Sequence, residues 1–354
     1  MSEKRPGALK LFKPRNIIIP VLISLAWVVW SVYASWDKED RNNVDWNSHV
    51  FFWLGLTFLL LIVRMLAYMW RIYILSDKKL NLKSSFQIIT IWEFASAITP
   101  SVIGGTAVAM FLLTKEKIKL GKSTSIVLIT AFLDELFFIL FAPILLLTVG
   151  IPNMFPDHSD LFEADELLSN IDDSHLKTSF LIGYLILLTY TILIGYGIFL
   201  KPNSVRKLLY RVFSIGFLKK WKRAAVRTGI DIVTTSQELK HKPKSYWVKS
   251  FFATVLAWLG RYLEANFVII AFMGYGDQLI MFSRSFVMWI IMMIPTTPGA
   301  SGIAEGAFIA LFKDMIMDME ALIPFFWRAF SYFPYLIIGV IFLPRWIKRV
   351  YDVK

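Results

Sequence analysis

Apolar residues run along this chain in long blocks separated by short charged stretches. Blocks near 17–36, 50–75, 123–150, 178–200, 247–273 and 322–343 each approach or exceed the ~20 residues a helix needs to cross hydrocarbon. Each predicts a membrane-spanning helix. Two further apolar stretches, about 86–113 and 279–312, are broken in the same way. The first holds Thr99-Pro100 and Gly104-Gly105; the second holds Pro295, Thr297-Pro298-Gly299 and Gly302. Backbone groups left unpaired in lipid cost several kcal/mol, so breaks persist only where protein or a water-filled cavity supplies partners. A matched pair of broken segments in two halves of a chain points to a transporter-type binding site.

The pattern predicts an all-α polytopic membrane protein, with 1–354 as a single transmembrane domain. Basic residues then set its orientation. Lys4, Arg5, Lys10, Lys13 and Arg15 precede the first block and hold the N-terminus in the cytoplasm. This block is too long for a signal-peptide core, and no small-residue cleavage site follows it, so it reads as a retained helix. Both flanks of the first broken segment are basic, with Lys78, Lys79 and Lys83 before it and Lys115, Lys117, Lys119 and Lys122 after it. That predicts a re-entrant hairpin entering and leaving on the cytoplasmic side. The acid-rich loop from Asp157 to Asp173 reads as outside, the basic segment 201–249 as inside, and the acid-flanked second broken segment as a hairpin opening outward. Arg345, Lys348 and Arg349 place the C-terminus inside. Span, hairpin, span thus recurs at about 50–150 and about 247–343 with opposite orientation, an inverted-topology repeat. Nearly equal intervals separate Arg64 from Pro100 and Arg261 from Pro298.

Composition narrows the function. Hydrophobic residues make up 56% and charged ones 18% of 354 residues, and mean hydropathy is +0.58. Those values exclude an ordinary soluble enzyme. With no cysteine there is no disulfide, thiolate zinc site or cysteine nucleophile. No metal or cofactor is expected. His158 and His175 in the acidic loop match no ligand spacing. The net charge of +12 lies between spans and no recognition module accompanies it, so nucleic acid is not an expected partner.

Arg64, Glu93, Asp134, Glu135, Arg261, Glu264, Glu305 and Arg328 fall at membrane depth. A charge at a helix centre costs about 2.5–3.5 kcal/mol there, so these residues should pair or line a polar cavity. Arg261 and Glu264 are spaced to pair with each other on one helix face. Arg71, near a span end, reads as a snorkelling side chain. Arg64 and Arg328 have no obvious local acid. Two readings stand for them: a guanidinium fork receiving an anionic lipid headgroup, or interhelical pairing with Glu93, Asp134, Glu135 or Glu305. The hairpin tips read as an N-cap threonine followed by a first-turn proline. A helix start there would favour an anion, while Gly104, Gly105, Gly299 and Gly302 permit close backbone approach or tight hairpin packing.

In 201–249, Val205, Leu208, Leu209, Val212 and Phe213 form an apolar stripe opposite Arg206, Lys207 and Arg211. The stripe predicts an interfacial helix on anionic inner-leaflet lipids. A plain positive-inside linker is the alternative.

These residues resemble the lysylphosphatidylglycerol synthase/flippase transmembrane family over roughly 10–345. The resemblance rests on Arg64 with Trp70-Arg71, on Thr99-Pro100 through Gly104-Gly105, on Pro295 through Glu305, and on Trp327-Arg328 with Pro334 and Gly339. One departure is that no arginine lies near Asp134-Glu135 in the first repeat. The resemblance implies lipid handling across the bilayer without a soluble aminoacyltransferase domain. The expected function is a flippase, not an enzyme, in a bacterial or archaeal cytoplasmic membrane. It would move an anionic phospholipid or lipid-linked intermediate past Arg64, Arg71, Asp134, Glu135, Arg261, Glu264, Glu305, Arg328 and the hairpin tips. The alternatives are a lipid-modifying transferase using Glu305, Asp134 or Glu135 as base, and a non-transporting membrane partner docking through 201–249.

Overall fold

The structure is a computed structural model that describes residues 45–99, 102–156, 173–292, 300, 302–316 and 319–351. The expected first span at 17–36, Pro100, the acidic stretch 157–172 and the tip 293–299 with Pro298 and Gly299 lie outside the described residues. Among those described, no strand occurs and five helices are long and apolar enough to cross a membrane.

The chain begins with α1 (Ser48–Leu75), where Asn47 Oδ1 accepts the Val50 amide at 3.1 Å and closes the helix start. Two shorter helices follow, α2 (Leu82–Ile98) and α3 (Val102–Lys115). At 17 and 14 residues they reach only about 25 and 21 Å, less than the hydrocarbon thickness of ~30 Å. Then come α4 (Leu120–Thr148), the single turn α5 (Ile151–Met154) and α6 (Asp173–Gly195), which ends in a π turn at Tyr196–Leu200. The basic segment folds into α7 (Pro202–Val212) and α8 (Lys222–Lys240). The order then repeats. Long α9 (Lys244–Met273) precedes short α10 (Gln278–Met292) and α11 (Ile303–Ile316), followed by α12 (Leu322–Ser331) and α13 (Phe333–Tyr351).

Each pair of short helices folds back on itself, and its open end is tied by polar side chains. In the first hairpin, Ser84 at the start of α2 donates to Glu116 Oε2 just past α3 at 2.9 Å. In the second, Arg284 on α10 reaches the Leu311 carbonyl at 3.0 Å and Asp314 Oδ1 at 2.5 Å, both on α11. Gly105 lies so close to Ser96 that a Cβ there would sit 2.1 Å from the hydroxyl oxygen. The glycine therefore serves close packing of α2 on α3.

The two hairpins occupy opposite ends of the same long helices. One apolar core joins α2 and α3 to the end of α1 (Ala67, Leu75), the start of α4 (Ile126, Leu133) and the start of α9 (Tyr246). The other joins α10 and α11 to the start of α1 (Trp53, Leu54), the end of α4 (Phe138, Leu145) and the end of α9 (Val268, Ile269). Between them α1 and α9 pack closely at Gly260, whose Cβ would lie 3.3 Å from the Leu60 carbonyl. The closing helices cross over. α13 lies on α2 through Phe342 and Phe86, with ring centres 5.1 Å apart, while α10 packs on α6, where a Cβ on Gly183 would sit 2.8 Å from Ile290 Cγ2, and touches α4 through Phe138 and Phe286, 5.4 Å apart. Large apolar side chains face outward on α1 (Phe51, Phe58, Leu66), α6 (Leu181, Leu185) and α13 (Ile337, Ile341), as helices bathed in lipid require.

Gly339 marks the close crossing of α13 on α2. A Cβ there would stand 2.3 Å from Phe94 Cγ, and Phe94 is fully buried. Gly339→Ala is expected to destabilise the protein by about 1–3 kcal/mol through overpacking. Thermal unfolding in detergent would measure it, and an unchanged midpoint would contradict this crossing.

The stripe on α7 is only partly free. Val205, Leu209 and Phe213 are half-buried, whereas Leu208 and Val212 are exposed. The other side of the stripe is covered by α8, which has its own buried row Ala225, Ile232 and Leu239 and packs beside α7. Lys122 Nζ meets Asp77 Oδ2 at 2.8 Å, and Lys242 meets the same carboxylate, anchoring the basic segment to the turn after α1. Burial would raise the Asp77 carboxyl, but its hydrogen bonds to Lys122 and Lys242 outweigh that and hold it below the usual range.

Candidate functional site

Arg64, Arg261 and Asp134 each sit near the middle of a long helix, on α1, α9 and α4. A helix periodicity of i, i+4, i+7 brings Arg64, Tyr68 and Arg71 to one inward face of α1, and all three are buried. The facing helices supply their partners.

Arg64 Nη1 donates to Glu264 Oε2 on α9 at 2.8 Å, with both side chains fully buried. Its Nε donates to the Tyr335 hydroxyl at 2.8 Å and its Nη2 to the Ser331 carbonyl at 3.3 Å. Arg64 therefore has an acid after all, brought from the other half of the chain. The expected Arg261–Glu264 pair does not form. Arginine side chains on a helix lean toward its N-terminus, so Arg261 leans away from Glu264. It stacks over Trp289 with the guanidinium carbon 4.6 Å from the ring centre, and it bonds Glu93 Oε2 on α2 at 2.9 Å.

Arg71 does not snorkel. It is 5% exposed and donates to Asp134 Oδ1 at 2.5 Å and to Thr254 Oγ1 at 3.1 Å. Trp258 Nε1 adds a bond to the same carboxylate at 2.9 Å. This supplies the arginine that the sequence near Asp134-Glu135 lacks. Glu135, pointing elsewhere on α4, is buried and its Oε2 has no hydrogen-bond partner.

Arg328 also finds an acid. Its Nε bonds Glu305 Oε1 at 2.8 Å. The other Glu305 oxygen accepts the Gly302 amide at 2.6 Å, directly before α11 begins. That is the return half of a capping box. Gly302 sits at φ +86, a conformation that favours glycine. A carboxylate of the chain itself thus caps the start of α11; the Thr297-Pro298 start where an anion was expected lies outside the described residues. At the first tip, Thr99 closes α2 and its hydroxyl donates to the Ala95 carbonyl at 2.7 Å. Gly104 lies in the first turn of α3.

The structure therefore gathers Arg64, Arg71, Glu93, Asp134, Arg261 and Glu264 into one polar layer between the two hairpin cores, and sets Arg328–Glu305 beside the second tip. The pairs differ in access. Arg64–Glu264 is sealed, while the Glu93 and Asp134 side chains are each 23% exposed. Charge-assisted bonds in such surroundings hold helices in register, and the guanidinium forks keep the geometry that suits a phosphate. Sequence reasoning missed Tyr335, Trp258, Trp289 and Arg284. Arg284 sits within an apolar stretch with no acid close in sequence, its Asp314 partner lying 30 residues on, and aromatic partners carry no charge signal.

Comparison with known proteins agrees with this architecture. The family described as the lysylphosphatidylglycerol synthase TM region matches residues 17–339. A UPF0104 membrane protein of Archaeoglobus fulgidus is 24% identical over 338 residues, covering 92% of this chain and 95% of that protein. No solved structure matches.

Proposed function

The chain belongs to the lysylphosphatidylglycerol synthase TM-region family, and on that premise we propose that this integral membrane protein, whose role concerns membrane lipid, is a flippase for an anionic phospholipid or lipid-linked intermediate. The observation that carries the reading is the half-open Arg261–Glu93 pair, 12% and 23% exposed by side chain, at the middle of the bundle. A phosphodiester headgroup carries the same charge as Glu93. It competes for the same guanidinium fork without adding an unpaired charge to the interior. Arg71–Asp134 offers a second, similar exchange. Arg64–Glu264 and Arg328–Glu305 are the fixed frame around them, not the receiving groups.

Two inverted repeats with cytoplasmic termini fit this reading. The recurrence of a long helix followed by a tied pair of short helices, with the two hairpin cores at opposite ends of the central α1–α9 pair, supports such a relation. Rocking one repeat against the other would open the polar layer to each hairpin's side in turn. The acyl tails would stay in lipid throughout.

Native mass spectrometry should first identify co-purified lipid. Proteoliposomes carrying a fluorescent analogue of it are then expected to show protein-dependent loss of inner-leaflet label to a membrane-impermeant quencher. Vesicles that show no such exchange with any co-purified lipid would sink the flippase reading.

A further inference from the structure

A cavity of about 290 Å³ opens where α6 gives way to the basic segment. It lies between the end of the π turn, the first turn of α7 and the outer half of α8. Lys201, Asn203, Ser204, Ser236, Gln237 and Lys240 line it. The polypeptide leaves its membrane-spanning segment at Leu200, so the cavity sits at the edge of hydrocarbon, where headgroup phosphates lie.

Its chemistry is one-sided. Lys201 and Lys240 are exposed cations at its rim, and no carboxylate lines it. Glu238, next to Gln237, turns instead toward Lys122 at 3.5 Å. The helix α7 starts here with Pro202 in its first turn and without a side-chain cap. Ser204 and Val205 bond back to the Lys201 carbonyl, but the Asn203 amide is given no acceptor by that turn. A helix start of this kind favours an anion.

Ser236 supplies an independent observation. It is 1% exposed, and its hydroxyl has no hydrogen-bond partner. A helical serine or threonine usually returns its proton to the carbonyl one turn back, as Thr234 does to Ile230 at 3.1 Å. Ser236 does not, and a buried hydroxyl left unpaired costs about 1–3 kcal/mol. A ligand oxygen in the cavity would remove that cost.

We propose that this cavity is a phosphate-binding site, taking the headgroup phosphate of a membrane lipid or a free phosphate compound through Lys201, Lys240, Ser236 and the start of α7. The site is separate from the polar layer between the hairpins and does not depend on lipid movement. Neighbouring exposed Leu208, Ile215 and Trp221 would rest in the acyl boundary while the cavity takes the headgroup.

Calorimetric titration of the full chain in neutral detergent tests this with three probes: dioctanoyl phosphatidylglycerol, inorganic phosphate and dioctanoylglycerol, which has no phosphate. Binding of the phospholipid alone identifies a headgroup source; equal binding of inorganic phosphate identifies a soluble one. The double substitution Lys201→Gln with Lys240→Gln, and separately Ser236→Leu, should each weaken binding by about tenfold or more. Lys219→Gln with Lys220→Gln removes the same charge outside the cavity and should change binding by about twofold or less. Equal losses in both double variants, binding of dioctanoylglycerol as tight as that of the phospholipid, or no binding of either phosphate probe would overturn the site.

Discussion

Arg64→Gln is expected to lower the stability of the protein by about 3–5 kcal/mol, because removing one partner of a buried ion pair strands the other. Glu264 is fully buried and bonded to Arg64, so it would remain as a buried charge without water or its bonded partner. Tyr335 and the Ser331 carbonyl would lose their donor as well. Three of the helices that meet here, α1, α9 and α13, belong to different parts of the chain, so the damage should spread. Thermal unfolding in detergent would report it, and Glu264→Gln should give a loss of similar size. The double variant Arg64→Met with Glu264→Leu should recover much of it, since an apolar pair of similar volume leaves nothing unpaired. A single Arg64 variant with an unchanged midpoint would show that the pair is not the keystone of the bundle.

Arg261→Gln should behave differently. Its pair with Glu93 is partly open, so stability should fall less than for Arg64, while lipid exchange should fall steeply. A hydrogen bond to a charged group is worth about 1.5–3 kcal/mol, which corresponds to roughly ten- to a hundredfold in rate. The informative comparison is Glu93→Gln. If Arg261 receives the headgroup, removing its competitor should leave exchange intact or raise it. If the pair only holds α2 to α9, both substitutions should slow exchange alike. The flipping assay in proteoliposomes, run beside thermal unfolding, separates these outcomes.

The parts of this architecture that depend on local chain chemistry are legible in the sequence. Apolar length marks α1, α4, α6 and α9, and the glycines and prolines mark where the short helices must break. The ion pairs are not legible. Arg64 and Glu264 are 200 residues apart, Arg261 and Glu93 168, and Arg71 and Asp134 63. Spacing rules see only neighbours on one helix, and so favour Arg261–Glu264. Which carboxylate an arginine reaches depends on how helices cross, and that depends on contacts such as Gly260 on Leu60 and Gly339 on Phe94. Glu305 caps the start of α11 only because the turn at Gly302 directs the chain so.

The neutrality of the polar layer has an electrical consequence. Arg64, Arg71, Arg261 and Arg328 are matched by Glu264, Asp134, Glu93 and Glu305; Arg71–Asp134 and Arg328–Glu305 each lie within one repeat and would travel together in a rocking motion, whereas Arg64–Glu264 and Arg261–Glu93 join the two repeats. Transmembrane voltage does about 2.3 kcal/mol of work per elementary charge at 100 mV, but a matched pair moving as a unit carries no gating charge. Current recorded during turnover would then report the charge of the cargo together with any displacement of the two pairs that join the repeats.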